Sequence, residues 1–204
     1  TGGRGNVLMV QALDPMIYAK KQRQFDVCIS GTAGVPGNYG GFETLAEQLV
    51  VNLSDKARML VICSESSYNT RPELFHAAHL KYLPIKANGL SSVLYDLLGL
   101  LYCCWRARCV LQLGVSGAIA IPIVKLLDPR LLVVCNVDGV EWRRDKWGFL
   151  ARRFLKLSEW IAVKFSDRVI ADNQGIADYL KTEYGKEAQV IAYGGDHAIQ
   201  FGDA

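Results

Sequence analysis

The chain has 204 residues, half of them hydrophobic, and a formal net charge of only +3 at pH 7. That length suits one domain with a buried core, and so mild a charge argues against nucleic acid as a partner. The six cysteines form no C-x-x-C pair and lie mostly in apolar runs, so we expect buried, reduced thiols in a cytoplasmic protein, with no disulfide framework and no metal site.

Residues 1–24 show no sustained period and end in KKQRQ, which predicts an extension ahead of the domain. From Phe25 onward, short apolar runs alternate with helical patterns. The runs predict buried strands at 26–30, 58–63, 81–85, 109–113, 131–137, 168–171 and 189–192. Long apolar stripes at helical spacing begin near Phe42, Leu90 and Leu150.

Strands that are apolar on both faces and alternate with helices predict a parallel sheet covered on both sides. The expected fold class is therefore a doubly wound, mainly parallel α/β domain of the Rossmann type, spanning residues 25–196. In such sheets ligands bind at the carboxyl ends of the strands. The four loops that follow predicted strands there are the candidate site.

The first of these loops is the stretch SGTAGVPGNYGGFETLAEQLV, in which a strand leads to a helix through Gly31, Gly34, Gly40 and Gly41. A helix start with small residues offers free N–H groups and a positive dipole end to a phosphate. The spacing is not G-x-G-x-x-G, and no acid ends the next strand, so a nicotinamide dinucleotide site has weak support. A nucleotide-binding oxidoreductase or epimerase stays open as an alternative, as does a turn that serves geometry only.

The second loop follows the strand in RLLVVCNVDGVEWRRDKW, where Asn136, Asp138 and Glu141 come in quick succession. Two carboxylates at a strand exit could orient a hydroxyl nucleophile or act as a base, which makes Asp138 and Glu141 the catalytic candidates. The alternative is a solvated turn, because Asp-Gly is also a turn dipeptide.

The third and fourth loops carry weaker signals. Ser116 lies between Gly114 and Gly117, which permit close approach of a ligand or, equally, close packing of a helix. Asp172 or Asn173 is expected to cap the helix that begins near residue 174, although a ligand contact at this strand end is also open.

Three motifs, GTAGVPGNYGGFETLAEQLV, NVDGVEWRRDKW and VIAYGGD, resemble the N-terminal domain of retaining GT-B glycosyltransferases, especially the bacterial rhamnosyltransferase-like enzymes of surface-polysaccharide assembly. The resemblance implies that Gly40 and Gly41 approach the donor diphosphate. Glu43 completes the family's Gly-Gly-x-Glu element and is the third candidate for donor binding. Its alternative role is that of an acid favoured by the helix dipole. Many related enzymes carry a histidine near the second loop, and this sequence has none there. Five residues are candidates for the acceptor side: Asn38, Tyr39, Ser116, Asn136 and Trp142.

By the same resemblance, the substrates are a nucleotide-sugar donor, with rhamnose as the candidate sugar, and a saccharide or lipid-linked acceptor, and the reaction needs no cofactor and no metal. Residues 197–204 are expected to begin a linker to a second domain that holds the nucleotide pocket. Without that domain the chain is not expected to transfer sugar.

Residues 141–165 interleave arginines and lysines with tryptophans, a composition that suits the surface of an anionic membrane. The alternative is an ordinary amphipathic helix whose apolar stripe faces the core. A membrane partner would place the protein at the inner face of the membrane, and a third hypothesis is a membrane-surface interaction module without catalytic activity.

Overall fold

The computed structural model describes residues 23–192 apart from positions 39, 90 and 146. The predicted segment 197–204 and nearly all of the predicted extension 1–24 lie outside the described residues. The domain itself, predicted at 25–196, is described almost completely.

An eight-stranded sheet forms the centre of the molecule. Its strands are β1 (Phe25–Ser30), β2 (Met59–Ser64), β3 (Leu74–Phe75), β4 (Ala78–Leu83), β5 (Ala107–Leu113), β6 (Leu132–Val137), β7 (Arg168–Ala171) and β8 (Gln189–Val190). The order across the sheet is β3-β4-β2-β1-β5-β6-β7-β8, and every neighbouring pair is parallel except β3 with β4. The predicted class, a doubly wound α/β domain, is confirmed.

Five α-helices among the described residues connect these strands: α1 (Gly41–Leu53), α2 (Ser91–Cys103), α3 (Ile121–Leu127), α4 (Phe149–Phe165) and α5 (Gln174–Tyr184). The apolar residues of α1 pack on one face of the sheet, and those of α2 to α5 pack on the other. None of the described helices is long and apolar enough to span a bilayer.

The chain changes direction across the sheet beside β1. From β1 it moves outward to β2 and β4, and then returns through α2 to β5, which pairs with the other edge of β1, for example Ser30 with Gln112. The strand order therefore reverses between β1 and β5. In open α/β sheets this reversal leaves a crevice at the carboxyl ends of the two strands, where ligands bind.

Residues 27–29 of β1 alternate between the two cores: Val27 and Ile29 face the α1 side, and Cys28 faces α2. There Cys28 is joined to Cys103 by a disulfide, whereas the other four cysteines are buried free thiols. The expectation that all the cysteines are reduced is wrong for this pair. Sequence spacing could not reveal the pairing, because it depends on how α2 lies over β1.

Two predicted boundaries differ from the structure at one edge of the sheet. The strand predicted at 81–85 runs from Ala78 to Leu83, and the two-residue strand β3 pairs antiparallel with it. Residues 79–82 are only partly buried or exposed at this edge, so their apolar pattern is weak and the start of the strand is hard to read from it.

Candidate functional site

The first loop folds tightly onto the neighbouring strands. Gly31 has φ +86°, and a Cβ there would lie 2.1 Å from the carbonyl oxygen of Leu113. Gly34 has φ +123°, and a Cβ there would lie 2.6 Å from the sulfur of Cys63. Both glycines are therefore required by backbone conformation and by packing on β5 and β2. For this pair, the geometric alternative accounts for the glycines without a ligand.

Carboxylates from the first turns of α1 hold the same loop from the other side. Glu43 is buried, and its Oε1 accepts hydrogen bonds from the Ala33 N–H at 2.8 Å and the Thr32 hydroxyl at 3.1 Å. One turn later, Glu47 Oε2 accepts from the Gly37 N–H at 2.7 Å. The side chain of Glu43 thus shapes the loop, a role more specific than that of an acid favoured by the helix dipole.

The predicted phosphate-binding glycines lie at the start of α1. Gly40 is the N-cap in an extended conformation, with φ −156°, and Gly41 is the first helical residue. Because Gly40 has no side chain, no N-cap side chain takes up the N–H groups of the first turn. Their binding to a diphosphate stays a prediction. Asn38 is exposed just before this point, and Tyr39 lies outside the described residues.

The loop after β5 adjoins both the end of β6 and the start of α1. The N–H of Gly114 donates to the carbonyl oxygen of Asn136 at 3.0 Å, which ties this loop to the end of β6. Gly114 has φ +77°, and a Cβ there would lie 3.1 Å from the ring of Phe42 in the first turn of α1. The helix start, the third loop and the end of β6 are therefore neighbours.

Asn136 is the acceptor candidate with the most unusual surroundings. It occupies β6 between Leu113 of β5 and Ile170 of β7, and its side chain is fully buried. Among the residues that the structure describes, neither the oxygen nor the nitrogen of its amide has a hydrogen-bond partner. Buried amides are almost always paired, because an unpaired one costs about 1–3 kcal/mol, so this position calls for a polar partner.

Asp138 follows β6 directly and is partly buried. Burial, with smaller contributions from the nearby carboxylates of Asp172 and Glu141, raises the pKa of Asp138 to about 6. A carboxyl group with a pKa close to neutrality can accept and release a proton under physiological conditions, as a general base must. The role of Asp138 as the base stays a prediction.

Glu141 is engaged within its own loop. Its Oε1 forms an ion pair with Arg144 at 3.1 Å, and its Oε2 accepts from the indole N–H of Trp147 at 3.3 Å. With both oxygens occupied, Glu141 is a weaker candidate for the base than Asp138.

The side chain of Trp142 points toward the interior, where its indole N–H contacts the buried carboxylate of Glu159. Its indole N–H lies 3.3 Å from Oε1 of Glu159 and 3.2 Å from the hydroxyl of Tyr179. The same Glu159 oxygen accepts from Tyr179 at 2.6 Å and from Tyr184 at 2.5 Å. This network fixes the loop that carries Asp138. The indole N–H of Trp142, a candidate for the acceptor side, therefore forms hydrogen bonds within the protein.

Ser116 is likewise tied to a buried acid that sequence reasoning missed. Its hydroxyl donates to Oδ2 of Asp96, on α2, at 3.0 Å. Burial raises the pKa of Asp96 to about 7, against the opposing effect of this hydrogen bond. Asp96 and Glu159 share one signal in the sequence: each is a lone acid inside the apolar stripe of a helix.

The fourth loop has the predicted cap. The side chain of Asn173 accepts from the N–H of Ile176 at 3.0 Å at the start of α5, and Asp172 beside it is one of the charges near Asp138. Among the described residues, no three His, Cys, Asp or Glu side chains are grouped so as to hold a metal ion.

Comparisons with known proteins agree with this architecture. The sucrose-phosphate synthase of Thermosynechococcus elongatus matches with a TM-score of 0.58 and 13% sequence identity, over 82% of this chain and 47% of that chain. The likeness shows that the chain shares its fold with part of this synthase, and the chain spans about half the length of that structure. No curated protein matches the sequence. Residues 24–196 match a family described as Domain of unknown function (DUF1972), and because that match covers most of the chain, the chain belongs to this family.

Proposed function

We propose that this domain is the N-terminal, acceptor-side part of a retaining glycosyltransferase that moves a sugar from a nucleotide-sugar donor to a saccharide or lipid-linked acceptor. One juxtaposition carries the proposal. At the crevice edge of the sheet, the loop after β5 adjoins both the uncapped start of α1, which carries Gly40 and Gly41, and the end of β6, which Asn136 and Asp138 occupy.

In this proposal the donor diphosphate lies against the first turn of α1. The N–H groups there and the positive end of the helix dipole would balance its charge. The unpaired amide of Asn136 would hydrogen-bond a sugar or acceptor hydroxyl. Asp138 would orient that hydroxyl or remove its proton.

The second half of the site would come from a further domain, in keeping with a chain that spans 47% of sucrose-phosphate synthase. Rhamnose as the sugar, surface polysaccharide as the product and chemistry without metal or cofactor rest on the sequence resemblance alone. The oxidoreductase or epimerase alternative loses its main support, because Gly31 and Gly34 are explained by their packing on Leu113 and Cys63.

The full-length protein that carries this domain should be assayed with a panel of nucleotide sugars and saccharide acceptors. Asp138→Asn keeps the shape of the loop and removes the base, so turnover should fall by a factor on the order of 10² to 10⁴. The matched control is Asp145→Asn, an exposed acid of the same loop, which should leave turnover within about twofold. Absence of transfer from every donor, or normal turnover in Asp138→Asn, would contradict the proposal.

Gly40→Val tests the donor end of the site separately. The extended φ of −156° at Gly40 is accessible to valine, so the backbone needs no rearrangement. The added side chain would crowd the first turn of α1 and should raise the KM for the donor at least tenfold, with the melting temperature nearly unchanged. An unaltered KM would show that the diphosphate binds elsewhere.

A further inference from the structure

Most of the exposed large apolar side chains among the described residues lie on one face of the molecule. Of the fourteen large apolar side chains that are exposed among the described residues, eleven lie on or directly after α2, α3 and α4. These three helices lie on the same face of the sheet. The eleven, called the three-helix face below, are Leu94, Leu98, Trp105, Ile123, Leu126, Leu127, Phe149, Leu150, Leu157, Trp160 and Phe165.

The charged side chains that these three helices expose at the surface are all positive. Helices α2 to α4 contain two acids, Asp96 and Glu159, and both are buried. Arg153 and Lys164 are exposed on α4 between the apolar residues, and the Arg153 guanidinium lies 4.4 Å from the centre of the Phe149 ring. The exposed surface of α4 therefore consists of large apolar groups and cations.

The structure also divides the basic, aromatic stretch 141–165 into two parts. Trp142 belongs to the buried network around Glu159, whereas Trp160 is 44% exposed on the outer side of α4. The three-helix face also includes residues outside this stretch, above all Leu126 of α3, which is 81% exposed. A surface that needs three helices cannot be recognised from the stretch alone.

We infer that the three-helix face docks on the surface of an anionic lipid bilayer. Apolar and aromatic side chains enter the boundary between headgroups and acyl chains, while nearby cations gain about 1 kcal/mol each from an anionic surface. Pairing of this face with a second copy would instead bring the cations of one copy against those of the other. The face covers one side of the sheet. It reaches the carboxyl edge at Phe149 and Leu150, in the first turn of α4 after the loop that follows β6.

This inference rests on the proposed function in one respect, because a lipid-linked acceptor would be reached from a bilayer. Docking itself is measured without any transfer. The 204-residue chain should be sedimented with acceptor-free vesicles of phosphatidylcholine, with and without about a third of phosphatidylglycerol. We expect binding to the anionic vesicles, weakened by salt, and at least tenfold weaker binding to the neutral ones.

Two double variants identify the surface. Leu126→Ser with Leu150→Ser removes the two most exposed apolar side chains of the face and should weaken binding at least tenfold, with no change in the far-UV circular dichroism. Val51→Ser with Lys56→Glu changes exposed residues on and just after α1, on the opposite side of the sheet, and should bind like the parent.

Four results would overturn the inference: no vesicle binding, equal binding to both lipid compositions, equal loss in both double variants, or a concentration-dependent dimer in solution that the Leu126/Leu150 variant abolishes. Transfer to a soluble saccharide by the full-length protein measures the proposed function independently, so that either hypothesis can fail without the other.

Discussion

Replacing Asp96 with asparagine is expected to remove a stability cost that grows with pH. Burial raises the pKa of this carboxyl group from 3.8 to about 7, so the folded state binds the proton more tightly than the unfolded state. The unfolding free energy of the parent must therefore fall as pH rises between these two values. A pKa difference of about 3 corresponds to a total of about 4 kcal/mol, and about 3 kcal/mol of this lies between pH 5 and pH 8.

The assay is urea unfolding of the parent chain and of Asp96→Asn at pH 5, 6, 7 and 8. Asparagine keeps an acceptor for the Ser116 hydroxyl but cannot ionise. The stability of the variant relative to the parent should rise by about 3 kcal/mol from pH 5 to pH 8, mostly below pH 7. A difference that is constant within about 0.5 kcal/mol would refute the reasoning, since it would mean that the carboxyl group carries no such cost in the fold.

The remaining predictions use the same unfolding measurement. Asp26→Asn should change stability with pH in the opposite direction, because a side-chain hydrogen bond from Arg58 lowers the pKa of Asp26. The variant should be less stable than the parent at pH 7, by on the order of 1 kcal/mol, and the difference should vanish at low pH. A deficit in stability that persists in acid would contradict this. Gly31→Ala should lower the free energy of unfolding by about 3 kcal/mol or more, because a Cβ would lie 2.1 Å from a backbone oxygen. Gly89→Ala, also at positive φ but with open space around the Cβ, should lower it by about 1 kcal/mol. Equal losses would exclude packing as the cause. Glu43→Ala should lower the free energy of unfolding by about 1–3 kcal/mol, because it leaves the buried N–H of Ala33 unpaired. Glu43→Gln should recover most of that loss, because glutamine can still accept the hydrogen bond. If it does not, the charge of Glu43 matters more than the hydrogen bond.

The fold was predictable because its signals are local and repeated. Buried parallel strands are apolar on both faces, and their alternation with helical stripes specifies the class without knowledge of any contact. The same reasoning failed at the sheet edge, where β4 starts at Ala78 and not near Lys81, because half-exposed strands carry no continuous apolar run.

The candidate site was predictable only in part. The rule that ligands bind at the carboxyl ends of strands selected the loops that contain Asp138 and Asn136. It could not distinguish Gly31, whose small size serves packing on β5, from Gly40 at the open start of α1. Nor could it find Asp96 of α2, which accepts a hydrogen bond from Ser116, because that contact exists only after α2 has packed against the third loop.

The central position of β1 has a consequence for the order in which the protein is made. β1 precedes every other described strand, yet its pairing with β5, for example Cys28 with Val110, spans roughly 80 positions of the chain. At synthesis rates of about 5 to 20 residues per second, the ribosome completes β1 about 4 to 16 seconds before the strand that covers its second edge. Only β2 can protect β1 during that interval, and the newly made half-sheet keeps an open, apolar edge. An edge that β5 covers in the finished protein is therefore exposed whenever the first half of the sheet forms before β5 is made.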